Sequence, residues 1–427
     1  MVGNDLTKIT ELSKRHKTVQ GIMCYINENT LLKQHRKQET RKASGIDGIT
    51  KTEYSKNLQE NLIDLIVRMK RMSYRPQAVR RTYIPKTGSK ELRPLGIPSY
   101  EDKLVQGAMA DVLNAVYEPL FLDISYGFRP NRSCHQAIKR LDEIIMKRKA
   151  NYIVDADIKG FFDNVDHKWL VKFLEHKIQD PNFIRYIVRF LKAGIMEEMQ
   201  RFDSDKGTPQ GGLISPILAN IYLHYVLDVW FVRYYAKTQC RGEAHIVRYA
   251  DDFVCCFELE ADAQQFYEDL KVRLSEFGLS ISESKSKIIP FGRNTSSKET
   301  FDFLGFTHIN GRNRKGYYKL VHITCKKKSE AKTQAIKAWI KTSVHLYSPP
   351  ELIKKLNTKL NGMFRYYGIS DNGKWMSKIL EYVKRELHKW LNRRSQKNKL
   401  NWDKFNKILT YNPLAQPKIY FSLWQSQ

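Results

Sequence analysis

The amino-acid sequence predicts an α+β fold that is followed by an all-helical, strongly basic region. Up to about residue 325, short runs of strand-forming residues alternate with stretches of helical periodicity. Beyond that point, apolar residues recur at helical spacing among many lysines. Apolar residues make up 42% of the 427 residues, which is enough for a buried core and excludes disorder as the main state.

The elements of the α+β part follow from apolar runs and from the turn residues between them. In chain order, we predict a strand at Tyr152–Val154, a helix at Ser215–Tyr235, strands at His245–Tyr249 and Phe253–Phe257, a helix at Ala261–Phe277 and a strand at Phe301–Phe306. The first helix begins at a Ser-Pro pair, which fits a first helical turn, and the second ends before Gly278. The polar stretch Arg293–Thr300 is predicted to be a loop.

The last quarter of the chain differs from the rest in charge. From Lys326 to Gln427 there are 22 Lys and Arg residues against 6 Asp and Glu, a net charge of +16. Two amphipathic helices are indicated by Ile353, Leu356, Leu360, Met363 and Phe364, and then by Ile379, Leu380, Val383, Leu387 and Trp390. Aromatic residues are mixed with the cations, and aromatic rings stack on bases while cations bind phosphates. This composition predicts a nucleic-acid surface, and a merely solvated basic face is the alternative.

Composition also limits the class of partner and the compartment. The whole chain carries a formal charge of +28, which points to a polyanion such as nucleic acid. A membrane surface competes as a partner, but we predict none, because there is no apolar run of spanning length and no signal-peptide core in the first ten residues. The six cysteines form no metal-binding or disulfide pattern. We therefore expect a soluble, intracellular protein with reduced cysteines.

Two groups of carboxylates are candidates for catalysis. Asp251 and Asp252 are adjacent in a predicted turn between apolar strands, where repulsion and desolvation call for a compensating cation. Asp155 and Asp157 follow another strand and share one face of it. If these strands are neighbours, Asp157 and Asp251 could share Mg²⁺, as in two-metal phosphoryl transfer. The alternative is a solvated turn on a surface hairpin.

The residues around these carboxylates resemble the motifs of reverse transcriptases. Tyr249–Asp252 resembles their YxDD signature, and Asp157 followed by Phe162 resembles their motif A. Further blocks, in the order found in group II intron reverse transcriptases, are Ser44–Gly48, Ile84–Lys86 with Arg93–Pro98, Ser125–Pro130, Gly207–Gly212 with Ser215–Pro216, Glu283–Ser286 and Phe303–Phe306. The resemblance covers residues from about 40 to 310, and it extends more loosely to the basic quarter.

The resemblance is to a bacterial group II intron-encoded reverse transcriptase/maturase of the endonuclease-lacking, class C-like kind. It implies a cytoplasmic protein of a bacterial cell or, as the second choice, a protein of an organelle. The chain ends at Gln427 without the paired cysteines and histidines of an endonuclease. The family implies a right-hand polymerase with fingers and palm, followed by an all-helical thumb/maturase region. We expect fingers with an N-terminal extension at 1–150, a palm with the catalytic carboxylates at 151–325, and a basic thumb/maturase (X) region at 326–427.

The resemblance also implies roles for individual residues. Asp157, Asp251 and Asp252 would be catalytic and would bind two Mg²⁺ ions, with Mn²⁺ as an alternative ion and the Ile158 carbonyl as a backbone ligand. Residues implied to bind the nucleotide are Lys86 and Arg93 at the triphosphate, Phe162 under the deoxyribose, Gln210 at the sugar and base, and Lys285 at the leaving pyrophosphate. The primer would contact Phe303, Leu304 and Gly305, and RNA would contact Lys326, Lys327 and Lys328.

Each of these side chains also has an ordinary structural explanation. A single lysine such as Lys86 or Lys285 is usually a solvated surface charge. Phe162 lies next to Phe161 and could be core beneath the sheet. The glycines and proline of Gly207–Gly212 could form only a turn before a helix.

The implied activity is RNA-directed DNA polymerisation, in which dNTPs are added to a primer 3′-hydroxyl. The implied partners are an RNA template and intron RNA, a DNA or RNA primer, and a DNA target, with maturase assistance to intron splicing and mobility. The alternatives are a stand-alone reverse transcriptase adopted for defence or repair and a binding-only splicing cofactor. An RNA-dependent RNA polymerase would share the carboxylates but would not favour an aromatic residue at position 162.

Overall fold

The computed structural model describes residues 4–85, 92–197, 200–202, 206–208, 211–394 and 400–423. The α helices are α1 (Asn4–Arg15), α2 (Glu28–Lys37), α3 (Lys51–Tyr54), α4 (Leu58–Lys70), α5 (Tyr100–Tyr117), α6 (Cys134–Lys147), α7 (Phe161–Asn164), α8 (His167–Lys177), α9 (Pro181–Leu191), α10 (Ser215–Leu223), α11 (Ala236–Thr238), α12 (Glu260–Glu276), α13 (Lys326–Ser343), α14 (Pro349–Tyr367), α15 (Gly373–Asn392) and α16 (Trp402–Tyr411). The strands are β1 (Val79–Pro85), β2 (Leu92–Ile97), β3 (Tyr152–Asp157), β4 (Ile195–Glu197), β5 (Gln200–Phe202), β6 (Ala244–Tyr249), β7 (Asp252–Phe257), β8 (Lys287–Pro290), β9 (Thr300–Phe303), β10 (Phe306–Arg312) and β11 (Tyr318–Thr324).

The described residues divide into two compact units. Unit 1 takes the residues up to 137 and those from 152 to 288, and unit 2 takes the residues 138–151 and those from 289 onward. Each unit has its own apolar core.

Unit 1 is built around one long buried helix and two four-stranded sheets. Helix α5 is capped at its N-terminus by Ser99, whose side chain accepts a hydrogen bond from the Asp102 N–H, and most of the helix residues are buried. One sheet has the order β2-β1-β4-β5, and the other has the order β6-β7-β3-β8. In the second sheet β7 is antiparallel to both β3 and β6. The predicted strands at 152–154, 245–249 and 253–257 are thereby confirmed, as is the helix at 261–277.

The predicted helix at 215–235 is present, but half of it is not an α helix. Helix α10 covers Ser215–Leu223, and the chain continues in π-helical geometry through His224–Asp228 and Trp230–Tyr235. A π turn widens the helix by one residue per turn, and such turns are frequent at functional sites. Apolar periodicity did not reveal the change, because the whole segment is apolar on several faces.

Unit 2 combines a three-stranded sheet with a helical core. The sheet has the order β11-β10-β9. The single strand predicted at 301–306 is wrong, because the chain reverses between β9 and β10 at Leu304 and Gly305, whose φ angles are +51° and +79°. Two consecutive left-handed residues close a tight hairpin. The predicted loop at 293–300 is confirmed up to residue 299, since β9 begins at Thr300.

The C-terminal quarter is helical as predicted. From residue 326 onward the described residues form α13–α16 and contain no strand. The apolar positions that predicted two amphipathic helices lie on α14 and α15, and all but Trp390 are buried. The prediction of an α+β fold with an all-helical C-terminal region is therefore confirmed. In the described part of the chain, no helix is long and apolar enough to cross a membrane.

Candidate active site

The central sheet of unit 1 brings the candidate carboxylates together. Strands β3 and β7 pair so that Asp157 lies opposite Asp252. Strands β6 and β7 form a hairpin in which Tyr249 also pairs with Asp252, so Ala250 and Asp251 form the two-residue turn. Three carboxylates from two sequence-distant segments thus meet at one end of the sheet. The two carboxylate-bearing segments are therefore neighbours, which is the condition under which Asp157 and Asp251 could share a metal ion.

A buried arginine stabilises the turn between β6 and β7. Ala250 has a φ of +58°, a left-handed conformation that costs a non-glycine residue free energy and needs support. Arg248 is fully buried, and its guanidinium donates to the Ala250 carbonyl at 2.8 Å. The same guanidinium forms a bidentate ion pair with Asp228, at 2.7 and 2.5 Å, and donates to the Asn220 side-chain oxygen at 3.0 Å. The turn is thus fixed by a fully satisfied buried network.

The segment 125–130 packs directly against the same turn. A Cβ added to Gly127 would lie 2.2 Å from the Ala250 nitrogen, so only glycine allows this approach. Asn220 on α10 donates to the Gly127 carbonyl at 2.7 Å. The Tyr126 N–H also donates to the Arg248 carbonyl at 2.9 Å. The motif at 125–130 therefore acts as a backbone support for the turn.

The electrostatics of the site favour a bound cation. Burial raises the pKa of Asp251 above its usual value, and the negative charge of Asp157 raises it further. Arg93 and Arg248 oppose this shift. Two carboxylates that repel each other in a partly buried site are stabilised by a divalent cation, which both can ligate through oxygen.

Lys285 is close enough to take part in this site. Its ammonium nitrogen lies 3.3 Å from an oxygen of Asp157, although both side chains are partly exposed. The short helical turn at 283–285 is held by the Ser286 hydroxyl, which accepts a hydrogen bond from the Asp157 N–H at 3.2 Å and donates to the Ser282 carbonyl at 2.9 Å. The backbone that carries Lys285 is therefore held in place beside Asp157.

The carboxylates of this site suit a metal ion that takes most of its ligands from water and substrate rather than from the protein. No group of three or more His, Cys, Asp or Glu side chains among the described residues is arranged to hold a metal ion. Mg²⁺ commonly binds one or two carboxylates and completes its shell with water and substrate phosphates. Ile158 directly follows Asp157 and is buried. The residues present fit a metal that arrives with a nucleotide better than a permanently occupied cage.

Phe162 lies at the edge of a pocket in unit 1. The pocket has a volume of about 240 Å³, and its lining includes Arg81, Gly96, Phe162, Lys206 and Thr208. Phe162 is half-buried, and its carbonyl accepts a hydrogen bond from the Thr208 N–H at 2.8 Å. The ring is therefore neither core nor free surface, which suits a contact with a small substrate.

The other predicted nucleotide contacts are only partly described. Arg93 lies on β2 opposite Ile84 of β1, is exposed, and acts on the charge of Asp251. Lys86 and Gln210 lie outside the described residues.

The predicted primer and RNA contacts lie in unit 2. Phe303 is buried, whereas Leu304 and Gly305 form the hairpin turn, and the Leu304 carbonyl accepts from the Tyr366 hydroxyl at 2.9 Å. The lysines 326–328 form the first turn of α13, where no acidic residue is present.

The residues that hold the turn between β6 and β7 were not predicted from the sequence. Arg248, Asp228 and Asn220 are buried polar side chains with no catalytic motif of their own. One signal was available, since Arg248 is the only charge inside the apolar run that precedes the turn, and a buried charge needs a partner. Its partner, 20 residues earlier in the chain, could not be identified without the fold.

Comparison with known families gives two matches along the chain. A family model described as reverse transcriptase (RNA-dependent DNA polymerase) matches residues 84–308. A second, described as group II intron, maturase-specific domain, matches residues 330–408. The first match contains all three carboxylates, and the second covers most of α13–α16.

Three relatives show how far the similarity extends. Group II intron-encoded protein LtrA of Lactococcus lactis subsp. cremoris is 48% identical over 169 residues, which are 39% of this chain and 27% of that protein. Protein YkfC of Escherichia coli (strain K12) is 32% identical over 309 residues, 65% of this chain and 78% of that protein. An uncharacterized 91 kDa protein in a cob intron of Schizosaccharomyces pombe is 36% identical over 230 residues, 52% of this chain and 28% of that protein. The chain thus aligns with only about a quarter of LtrA.

Proposed function

We propose that this chain, which belongs to the reverse transcriptase family and carries a group II intron maturase-specific domain, is an RNA-directed DNA polymerase that also assists the splicing and mobility of a group II intron. The observation that carries the polymerase proposal is the pairing of β3 with β7, which sets Asp157 beside the turn that holds Asp251. Reverse transcriptases use divalent metal ions, and carboxylates in this arrangement are suitable ligands.

In the proposed reaction, Asp157 and Asp251 are the principal ligands of two Mg²⁺ ions, with Asp252 and the Ile158 carbonyl in support and Mn²⁺ as an alternative. When bound, these ions lower the pKa of the primer 3′-hydroxyl and neutralise charge on the leaving pyrophosphate. We assign to Lys285 the addition of a positive charge or a proton at that pyrophosphate, which its contact with Asp157 supports.

The remaining roles follow from position. We assign Arg93 to the triphosphate, since its charge already acts on Asp251, and Phe162 to the sugar. Lys86 and Gln210 keep their proposed nucleotide contacts. Phe303, Leu304 and Gly305 keep their proposed contacts with the primer.

The division of the chain is also part of the proposal. We assign residues 1–150 to the fingers, 151–325 to the palm, and 326–427 to the thumb/maturase region. Assignment to the endonuclease-lacking, class C-like group and to the cytoplasm stays a prediction. The proposed partners are an RNA template, intron RNA, a DNA or RNA primer and a DNA target.

Primer extension tests the polymerase proposal. The full chain, mixed with an annealed RNA template, a DNA primer, dNTPs and Mg²⁺, should lengthen the primer, and EDTA should stop the reaction. A parallel reaction with rNTPs separates a reverse transcriptase from an RNA polymerase. Extension with rNTPs alone would contradict the proposal, as would the absence of extension with Mg²⁺ and with Mn²⁺.

Phe162→Val should weaken discrimination against ribonucleotides. A rigid ring beneath the sugar excludes a 2′-hydroxyl by steric overlap and offers it no hydrogen-bond partner. The smaller side chain should raise the relative efficiency of rNTP addition about 10-fold or more, equivalent to relieving ~1.4 kcal/mol. Steady-state kinetics with matched dNTP and rNTP on one template measure the ratio of the two kcat/KM values.

Phe161→Val is the matched control for that experiment. Phe161 is buried beside Phe162, with ring centroids 5.4 Å apart, and belongs to the core of unit 1. The Phe161→Val variant should have a lower unfolding temperature, and its kcat/KM should change by the same factor for dNTP and rNTP. An unchanged dNTP/rNTP ratio in a folded Phe162→Val protein would show that Phe162 does not select the sugar.

Neutralising Lys326, Lys327 and Lys328 together should weaken RNA binding. Three lysines at the first turn of α13 oppose the positive end of the helix dipole, and a bound phosphate would offset that cost. Replacement by Gln should flatten the log-log salt dependence of the affinity by about 0.7 to 0.9 for each phosphate that the protein no longer neutralises. A triple variant of the exposed Lys404, Lys407 and Lys418 removes the same charge elsewhere. An unchanged slope in the first variant would mean that its lysines are only solvated.

A further inference from the structure

Unit 1 contains a second concave site whose lining includes none of the catalytic carboxylates. We call it the basic basin, and its volume is about 960 Å³. Its walls are the segments 13–17, 118–123, 176–177 and parts of 224–233, together with Arg129 and Arg132. Seven of the lining residues are Lys or Arg, and only two are Asp or Glu. The basin therefore carries a strong positive potential for an anion of suitable size.

Four of the seven cations are used by the protein itself. Their pairings are Lys14 with Glu11, Arg129 with Glu118, Arg132 with Asp123, and Lys177 with the carbonyl oxygens of Ser13 and His16. Both acidic residues of the basin are therefore already paired. The other three cations have no acidic residue of the basin left to pair with, and we call them the unbalanced cations.

The unbalanced cations are Arg15, Lys17 and Arg233. All three are exposed, and none forms a hydrogen bond or a close ion pair within the described part of the chain, although the charge of Arg15 acts on Glu11 from a greater distance than that of Lys14. Arg15 is the last residue of α1 and Lys17 lies two residues beyond it, whereas Arg233 lies on the second π-helical segment. Cations from two sequence-distant segments thus line one concavity, which differs from a basic stripe along a single helix face.

The wall of the basin also contains a buried imidazole with unused hydrogen-bonding capacity. His224 is only 4% exposed, and its Nδ1 atom has no hydrogen-bond partner within the described part of the chain. Burial lowers the pKa of His224 to about 4, so the ring is neutral near pH 7. His224 is the first residue of the π-helical segment, a backbone irregularity that often marks a functional site. A buried polar atom of this kind usually has a ligand or water as its partner.

The two sides of the basin are fixed to each other. The Lys177 ammonium group bonds to the Ser13 and His16 carbonyls at 2.8 and 2.7 Å, and the Val19 N–H donates to the Lys177 carbonyl at 2.8 Å. The segment that carries Arg15 and Lys17 is therefore held against the end of α8. A site whose walls are already in place loses little conformational entropy when it binds.

We propose that the basic basin binds a compact polyphosphate, either the di- or triphosphate of a nucleotide or free pyrophosphate, at a position separate from the polymerase carboxylates. Arg15, Lys17 and Arg233 bind the phosphate oxygens, and the wall that includes His224 receives the rest of the ligand. The volume lies within the range of small-molecule sites and accommodates a whole nucleotide. A concavity with converging cations fits a compact ligand better than an extended strand, which would need a continuous groove.

Binding of pyrophosphate in the presence of EDTA tests this proposal. Without divalent metal, the carboxylates of the polymerase site repel a polyphosphate, whereas binding by Arg and Lys persists. Equilibrium dialysis of the full chain with radiolabelled pyrophosphate should show one bound equivalent, and dATP should compete for it. The triple variant Arg15→Gln, Lys17→Gln, Arg233→Gln should lose affinity about 10-fold or more, because charge-assisted hydrogen bonds are removed.

A matched triple variant separates the basin from bulk charge. Lys70→Gln, Arg71→Gln and Arg75→Gln remove the same charges from exposed positions of unit 1 and should leave pyrophosphate binding within about twofold of the wild type. His224→Phe, which keeps the ring and removes its nitrogens, should weaken dATP binding in a protein shown to be folded by thermal melting.

Three results would overturn the proposal. They are pyrophosphate binding that the basin variant leaves unchanged, an equal loss in both triple variants, and binding of an unphosphorylated RNA oligonucleotide but not of pyrophosphate or dATP. The last would mean that the basin is a phosphodiester contact. Because all three are measured in EDTA, they do not depend on whether the chain polymerises DNA.

Discussion

Asp251→Asn is expected to reduce RNA-templated primer extension to less than about one-thousandth of the wild-type rate, because several kcal/mol of transition-state charge stabilisation would depend on this proposed metal ligand. The side chains are nearly isosteric, so the turn between β6 and β7 should keep its shape. Rates of single-nucleotide addition at saturating dNTP and Mg²⁺ measure the loss. Wild-type-like extension by this variant would remove Asp251 from the site.

Two controls separate this effect from loss of folding or of RNA binding. Asp64→Asn changes an exposed carboxylate on α4 in the same unit and should leave extension unchanged. The Asp251→Asn protein itself should bind RNA with nearly unchanged affinity, because no phosphate contact is removed. If the maturase proposal holds, it should also still accelerate splicing of its intron RNA at low Mg²⁺. Failure of the wild-type protein to do so would leave a stand-alone polymerase.

Arg248→Met is expected to lower the free energy of unfolding by about 3–5 kcal/mol, since it leaves the buried Asp228 without its partner. The same change removes the donor to the Ala250 carbonyl, so the turn between β6 and β7 loses the support for its left-handed residue. Denaturant-induced unfolding followed by circular dichroism measures the stability. Primer extension by the folded fraction should also fall.

The double variant Arg248→Met, Asp228→Leu is the matched control. It removes both charges, so the penalty for an unpaired buried carboxylate disappears, and it should be more stable than Arg248→Met alone. A single variant as stable as the wild type would contradict the supporting role of this ion pair. A double variant less stable than the single one would show that the stability comes from packing rather than from charge.

Local patterns in the sequence were sufficient to predict most strands of the sheet that carries the carboxylates. Strands β3, β6 and β7 were predictable, because each is a short apolar run next to carboxylates or turn residues. The hairpin at Leu304 and Gly305 was not, because leucine gives no turn signal and a single glycine inside an apolar run also fits a bulged strand. The π-helical turns after α10 were invisible for a similar reason, because their side chains are as apolar as those of an α helix.

The sequence predicted the charged side chains of the candidate site but not the residues that support them. The motif blocks predicted Asp157, Asp251, Asp252 and Lys285, and the matched family agrees with the resemblance on which they rest. They could not predict that Arg248 and Asp228 hold the turn, because that ion pair joins a strand to a helix.

The sequence by itself determined the family, the α+β and helical regions and the identities of the acidic residues. Motif order, the periodicity of apolar residues and charge balance are properties of the sequence, so they can be evaluated without a structure. Only the tertiary structure decided that Asp157 lies opposite Asp252, that Arg248 supports Ala250 and that Arg15 shares a basin with Arg233. Each of these contacts joins segments that are distant in the sequence. Strand register and helix packing bring them together, and both depend on the burial of side chains from the whole unit rather than on any local pattern.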